Sequence, residues 1–280
     1  MENQFKAWPG IRASIWITLL LLLAAIIFSP VSPLLRPLIG REATMLISFL
    51  LTMGVPLWII YLFRKRATGQ KGFRFSIPDK GTIPFVVLGT VALSVGVILP
   101  LVSITLYFFP VPDAFADQMR QVGDPTHIAV FATLVIAAPV LEEFIFRGII
   151  LDGLLKKYSP YRAILVSSLL FAIVHLNPWQ FITAFIMGAF IGWVYYRTGS
   201  LSMAIIIHAA NNLFVTIPAF FMEEDAFWAM EPSIAEAYGG WWILIPSILL
   251  AWVLLGYSLK ALKKRFNAAP PESDPTKADI

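Results

Sequence analysis

The chain has no cysteine. That excludes a disulfide framework, a thiolate nucleophile and a Cys-ligated metal, and also a palmitoyl or prenyl anchor on the chain itself. Charge is scarce too. Asp, Glu, Lys and Arg make up 14% of the 280 residues, where a soluble domain carries about a quarter. In its place is apolar surface: 58% of residues are hydrophobic and the mean hydropathy is +0.77. A soluble enzyme, a disordered regulator and a fibrous protein do not fit this balance. An all-α, polytopic membrane protein does. The net charge of +4 is no sign of nucleic acid, because basic residues in a membrane protein report topology first.

Long apolar runs bounded by charge or by Pro/Gly turns are read as helices, each needing about 20 residues to cross the hydrocarbon core. The sequence predicts eight of them, over 13–29, 44–63, 82–109, 128–151, 161–176, 179–196, 201–222 and 241–259. The fifth is short, and the third is long enough to tilt. Arg64, Lys65, Arg66, Lys71, Arg74 and Lys80 follow the second span. Lys156, Lys157 and Arg162 follow the fourth, Arg197 the sixth, and Lys260, Lys263, Lys264 and Arg265 the eighth. The alternate loops are acidic, with Asp113, Asp117 and Asp124 in one and Glu223, Glu224, Asp225, Glu231 and Glu236 in another. The positive-inside rule then predicts cytoplasmic termini and an integral multi-pass protein of the cell membrane. Arg36 and Arg41 in the first loop run against it.

The N-terminal apolar run is longer than a signal-peptide h-region and is followed by no small-residue cleavage site, so it is expected to be retained. The stretch from Phe266 to Ile280 is polar and Pro-containing and is expected to be a disordered tail. The expected division is 1–124 for three N-terminal spans, 125–222 for a four-span core, 223–265 for an acidic outer loop and the last span, and 266–280 for the tail.

The fourth to seventh spans concentrate the polar residues: Glu142, Glu143, Arg147, Asp152, His175, Asn177, His208, Asn211 and Asn212. A charge at the bilayer centre costs about 2.5–3.5 kcal/mol on insertion scales, so two unpaired glutamates would oppose insertion by roughly 5–7 kcal/mol. Polar glue between helices accounts for single Asn or Ser residues but poorly for a Glu-Glu pair. A functional site is the better reading. Glu143 and Arg147 are four apart and can pair along one helix face. Glu142, rotated by about 100°, has no obvious local partner. Pro139 lacks the N–H that would bond the Val135 carbonyl, and so predicts either a kink or a break at whose positive end the glutamates sit. Asp152 stands alone near the basic edge, and His127 reads as a surface or capping residue. His208 and Asn212 can aim an imidazole and a carboxamide at one point. By about 1.5 Å per residue, however, His208 lies about 10 Å and His175 about 20 Å from the basic edge, so the two must converge through tilt. Gly188 and Gly192, extended by Ala184, permit close helix approach within the bundle.

A carboxylate that polarises water, an imidazole that shares the proton and donors for an oxyanion are the parts of amide hydrolysis. The sequence has no H-E-x-x-H, no second deep Asp and no Gly-flanked Ser elbow in these spans. An ion- or proton-coupled transporter is the alternative class, although the paired halves typical of transporters are missing. A non-catalytic immunity or scaffold protein of the same fold is another.

Glu142, Glu143 and Arg147 read as E-E-x-x-x-R, Phe171 to His175 as F-x-x-x-H, and His208 to Asn212 as H-x-x-x-N. In this order and spacing the chain resembles the CPBP family, the CAAX-protease and bacteriocin-processing (Abi) group that includes the type II CAAX prenyl endopeptidases. The resemblance covers roughly residues 125–220. It implies an intramembrane endopeptidase, a hydrolase with a cavity open to the cytoplasm, acting on a membrane-associated or prenylated-type protein or peptide. It further implies that Glu142 and His175 activate water, that His208 and Asn212 stabilise the oxyanion, and that Glu143 and Arg147 support them. Zinc held by Glu142, His175 and His208 is one implied arrangement. Metal-free water activation is the one preferred, because a carboxylate–imidazole pair with an amide donor suffices for the chemistry.

Overall fold

The computed structural model describes residues 7–120, 124–223 and 240–268. Among these residues it is an all-α bundle. Seven helices are long and apolar enough to cross a membrane: α1 (Ile11–Phe28), α3 (Arg41–Thr68), α4 (Lys80–Phe108), α6 (Ile128–Leu155), α8 (Pro178–Thr198), α9 (Leu201–Phe220) and α10 (Trp241–Ala268). An eighth apolar helix, α7 (Pro160–Ile173), is shorter. Two small helices, α2 (Val31–Ile39) and α5 (Asp113–Arg120), lie in the connections. Arg36 sits exposed on α2, and Arg41, just beyond it, pairs with Glu42 at 2.9 Å.

The centre is α6. Phe146 to Leu151, the stretch after the glutamates, has no exposed surface, and α6 packs on α3, α7, α8 and α9. Helix α1 flanks α3 and α7, while α10 lies along α4, which in turn packs on α9. Outward faces remain apolar, with Ile26, Trp58 and Val253 all well over half exposed. With lipid as solvent that is the expected state of a span's outer face.

Proline shapes two spans without breaking them. Pro139 has no N–H for the Val135 carbonyl, and the preceding turn widens into a π-helix over Thr133–Ala137. The Ala138 N–H bonds Thr133 O instead of Leu134 O. The result is neither a break nor a new helix start, so the glutamates lie inside a continuous α6 and not at a positive helix end. In α4 the same device precedes Pro100. A π-helix covers Ser94–Ile98, and the Gly96 carbonyl that Pro100 cannot serve accepts Trp252 Nε1 from α10 at 2.6 Å.

Three other readings change. Helix α7 ends at Ile173, so His175 lies in the following turn, where Leu176 has φ +55°. Asp152 is not alone, since Lys156 bonds it at 2.7 Å one turn on. The last helix runs to Ala268, so Phe266 to Ala268 are helical and Phe266 is buried against Trp193. The expected tail beyond residue 268, and Glu224, Asp225, Glu231 and Glu236 of the acidic loop, lie outside the described residues. His127 caps α6, accepting the Ala129 N–H at 3.3 Å.

The segment between α3 and α4 does not trail away from the bundle. Phe73 packs edge-on against Phe144 at 4.8 Å between centroids, the Leu201 N–H bonds Arg74 O at 2.8 Å, and Ser202 Oγ bonds Phe75 O at 2.7 Å. This strap reaches inward to Gly148, where an added Cβ would lie 2.8 Å from the Phe73 ring. The strap is then anchored at its far end, where Arg265 Nη1 bonds Asp79 Oδ2 at 2.7 Å.

That anchor titrates. The Arg265 hydrogen bond, helped by the Gly81 N–H, holds the Asp79 carboxyl below its usual 3.8. A depressed carboxyl stabilises the fold above its unfolded value and loses that contribution as pH falls through the folded one. Both partners are 39% exposed, so the effect is small, under about 1 kcal/mol. Asp79→Asn is expected to melt slightly below the wild type at pH 6, with the difference shrinking to nothing as pH is taken below about 4. Thermal melts across that range check it.

Candidate active site

Adjacent glutamates on α6 meet different surroundings. Glu143 is fully buried and its Oε1 is shared by two donors, Arg147 Nη1 at 2.9 Å and His208 Nδ1 at 2.7 Å. Arg147, also fully buried, sends Nη2 to the Gly188 carbonyl on α8 at 3.0 Å, and its guanidinium lies 4.7 Å above the Phe171 ring. Position 188 is glycine for a steric reason, because a Cβ there would lie 3.2 Å from Arg147 Nη2 and from Phe171. The small-residue motif on α8 therefore makes room for a buried guanidinium within the bundle. Glu143 Oε2 and Arg147 Nε find no partner among the described residues. The pair is thus a single-bond contact, not a two-armed fork.

Glu142, one residue back, keeps its carboxylate slightly exposed and faces His208 Nε2 at 3.9 Å. A carboxylate at Nδ1 favours the tautomer with the proton on Nδ1, which leaves Nε2 turned toward Glu142. His175 is oriented in a similar way: Nδ1 lies 2.9 Å from the Phe171 carbonyl, which can only accept, so the proton sits on Nδ1 and the neutral ring keeps Nε2 as an acceptor. The Phe171 ring stands edge-on to both imidazoles, at 5.1 Å from His175 and 5.6 Å from His208.

Asn212 donates to the Leu134 carbonyl at 2.8 Å, the carbonyl left over by the π-turn before Pro139. Its oxygen accepts from Asn211 at 3.2 Å, and the Asn211 oxygen accepts from Ser94 Oγ of α4, also at 3.2 Å. One Asn212 N–H remains. Asn177 serves as the cap of α8, accepting the Gln180 N–H at 2.8 Å.

The structure thus brings Glu142, Glu143, Arg147 and His208 into one cluster. His175 joins through Phe171, and Asn212 through Leu134. The mismatch in depth between the histidines is smaller than counted, because α9 starts level with Gly148, seven residues before the end of α6. Ser94, the Gly188 carbonyl and the Leu134 carbonyl escaped the sequence reading. Ser94 carries no sequence signal, whereas Gly188 and Pro139 marked the other two indirectly. Zinc needs three or four ligands at about 2.0–2.2 Å. Among the described residues no three His, Asp or Glu side chains come close enough together to share an ion, so Glu142, His175 and His208 as placed do not fit one.

The buried pair sets a stability test. Removing one partner strands a charge, which costs about 3–5 kcal/mol. Arg147→Met is expected to lower unfolding stability by that amount, and adding Glu143→Gln to recover part of the loss. Chemical unfolding in detergent of the two single variants and the double variant checks the coupling.

Residues 124–214 match the family model described as type II CAAX prenyl endopeptidase Rce1-like. The Membrane-embedded CAAX protease MroQ of Staphylococcus aureus is 30% identical over 148 residues, half of this chain and 59% of MroQ. YdiL of Bacillus subtilis, whose name describes a membrane peptidase, is 38% identical over 82 residues, 29% of this chain and 34% of YdiL. YyaK of the same organism is 27% identical over 189 residues, 60% of this chain and 61% of YyaK. The chain thus spans between about a third and three fifths of the length of these relatives. No solved structure gives a significant match. What three short motifs first suggested is a similarity to the type II CAAX prenyl endopeptidase Rce1-like family, and residues 124–214 carry it.

Proposed function

We propose that this protein is an intramembrane endopeptidase that hydrolyses a peptide bond of a membrane-associated or prenylated-type protein or peptide. The observation that carries the reading is the Glu142–His208 pair. Among the described residues, a carboxylate with no other partner and a fixed imidazole nitrogen stand 3.9 Å apart inside an apolar bundle, with Glu143 Oε1 held by Arg147 and His208 behind them.

In this reading Glu142 takes a proton from the water as it attacks the carbonyl carbon, with His175 Nε2 as a second acceptor on the water. The carbonyl oxygen gains charge and is met by the second N–H of Asn212 and by the Nε2–H of His208, which enters the step as an imidazolium with its other proton toward Glu143 and keeps both. The proton on Glu142 passes to the amine as the C–N bond breaks, which leaves an acid and an amine. Glu143 holds the His208 ring, and Arg147 holds Glu143. The similarity to MroQ and to the Rce1-like model supports the same class of reaction. We further propose that the substrate approaches from the cytoplasm, where the basic loops are expected to lie, and that residues 125–222 form the catalytic core.

Expressing the protein and its Glu142→Gln variant at equal folded levels, then comparing new peptide termini across the membrane proteome by mass spectrometry, tests the proposal. Termini present with the wild type and absent with Glu142→Gln are expected, with a rate loss of about 10²–10⁴ for loss of the base. Asn212→Ala is expected to lose about 10²–10³ through the oxyanion. Cleavage that survives Glu142→Gln would sink the assignment. Identical profiles together with a Glu142-dependent ion flux would turn the reading to the transporter.

A further inference from the structure

Away from the glutamates, a cavity of about 250 Å³ lies where the strap meets the ends of α3, α6, α8 and α9. Four cations line it, Arg64, Lys71, Arg74 and Lys156, against one carboxylate, Asp152. Asp152 is already taken by Lys156 at 2.7 Å. Arg64 is buried and pinned, with Nη1 on the Gly72 carbonyl at 3.0 Å and Nη2 on Gln70 Oε1 at 3.2 Å. The Lys71 and Arg74 side chains make no hydrogen bond or ion pair among the described residues. Arg74 is drawn in beside Gly199, which closes α8 at φ +61° and has no Cβ to obstruct the guanidinium. Tyr195 is the more telling wall. It is only 5% exposed, its hydroxyl has no hydrogen-bond partner among the described residues, and it lies within electrostatic reach of Arg64, Arg74 and Asp152. Its hydroxyl opens onto the cavity, where its O–H is available to an acceptor that enters.

The position of the cavity narrows the ligand. Arg64 lies four residues from the end of the 28-residue α3, Tyr195 three from the end of α8, and Lys156 directly after α6. All three therefore stand at the level where apolar spans give way to water, which is the depth of lipid phosphates. The volume falls below the roughly 300–1,000 Å³ of sites for drug-sized ligands, and suits a small headgroup more than a folded peptide. Basic clusters at this depth attract anionic lipid, and planar guanidinium groups match phosphate oxygens.

We propose that this cavity binds the phosphate of an anionic phospholipid headgroup. Arg74, Lys71 and the Tyr195 hydroxyl donate to it, and Arg64 and Lys156 supply charge already fixed in place. The bound lipid braces the strap, and through Phe73 and Phe144 it steadies the turn of α6 next to Glu143.

The experiment is lipid binding to the detergent-purified full chain by native mass spectrometry, with thermal melting in parallel. It needs no knowledge of activity. Phosphatidylglycerol is expected to remain bound and raise the melting temperature, and phosphatidylcholine to do neither. Tyr195→Phe keeps the ring and is expected to weaken phosphatidylglycerol about tenfold, as is Arg74→Gln, the loss of one charge-assisted bond. Equal binding of the two lipids, or unchanged affinity in both variants, would overturn the proposal. So would inorganic phosphate that stabilises as well as phosphatidylglycerol at equal concentration, which would make the ligand a free anion. A free-carboxylate peptide that displaces the lipid where its amide does not would overturn it in favour of a chain end.

Discussion

The Glu143–Arg147 ion pair, two charges with no exposed surface in the middle of an apolar bundle, constrains everything around it. Taking such charges out of water is costly, and their mutual attraction offsets that only when the remaining donors and acceptors are met. The neighbours meet most of them, and only Glu143 Oε2 and Arg147 Nε are left without a partner among the described residues. Gly188 gives up its Cβ and lends its carbonyl, Phe171 lends a ring face, and His208 lends Nδ1. Four helices are tied to one carboxylate through these contacts. The stability of the bundle and the orientation of His208 are therefore one physical problem with one solution.

Backbone chemistry follows the same rule. In hydrocarbon an unbonded carbonyl has no water to turn to. Pro100 of α4 leaves the Gly96 carbonyl unserved, and the π-turn before Pro139 of α6 leaves that of Leu134. Side chains of distant helices collect these two, Trp252 at Gly96 and Asn212 at Leu134. The bond to Leu134 fixes the carboxamide of Asn212, so a local defect in one helix becomes a means of aiming a polar group on another. The Ser94 hydroxyl continues the chain through Asn211.

Composition and period were enough to read the helical bundle, most span limits and the i,i+4 pairing of Glu143 with Arg147, because each depends on local spacing. Three things were not legible. The early end of α7 turns on a left-handed Leu176, a residue with no reputation for that conformation. The inward course of the strap looks in sequence like an ordinary basic loop, and only Phe73 and Phe75 among its charges hint that it returns to the core. The double use of Glu143 needs His208, 65 residues away, and no one-dimensional pattern carries that distance.

The strap also explains how histidines at unequal distances from the span ends reach a common ring. Span depth was reckoned from the span ends, but α9 begins beside Gly148, seven residues before the end of α6, where the strap supplies the Arg74 and Phe75 carbonyls as acceptors. Counted from Gly148, Glu143 lies five residues up one helix, and His208 lies seven up the other from Leu201. At about 1.5 Å per residue the two differ by roughly 3 Å, which side-chain reach absorbs. Glu142 and Glu143 then divide by rotation alone. About 100° turns one carboxylate into the packed interior, where both of its partners are fixed, and leaves the other facing an imidazole nitrogen, with no other partner among the described residues. Two identical side chains, adjacent in the chain, become a structural anchor and a candidate base because the helix presents them to different neighbours.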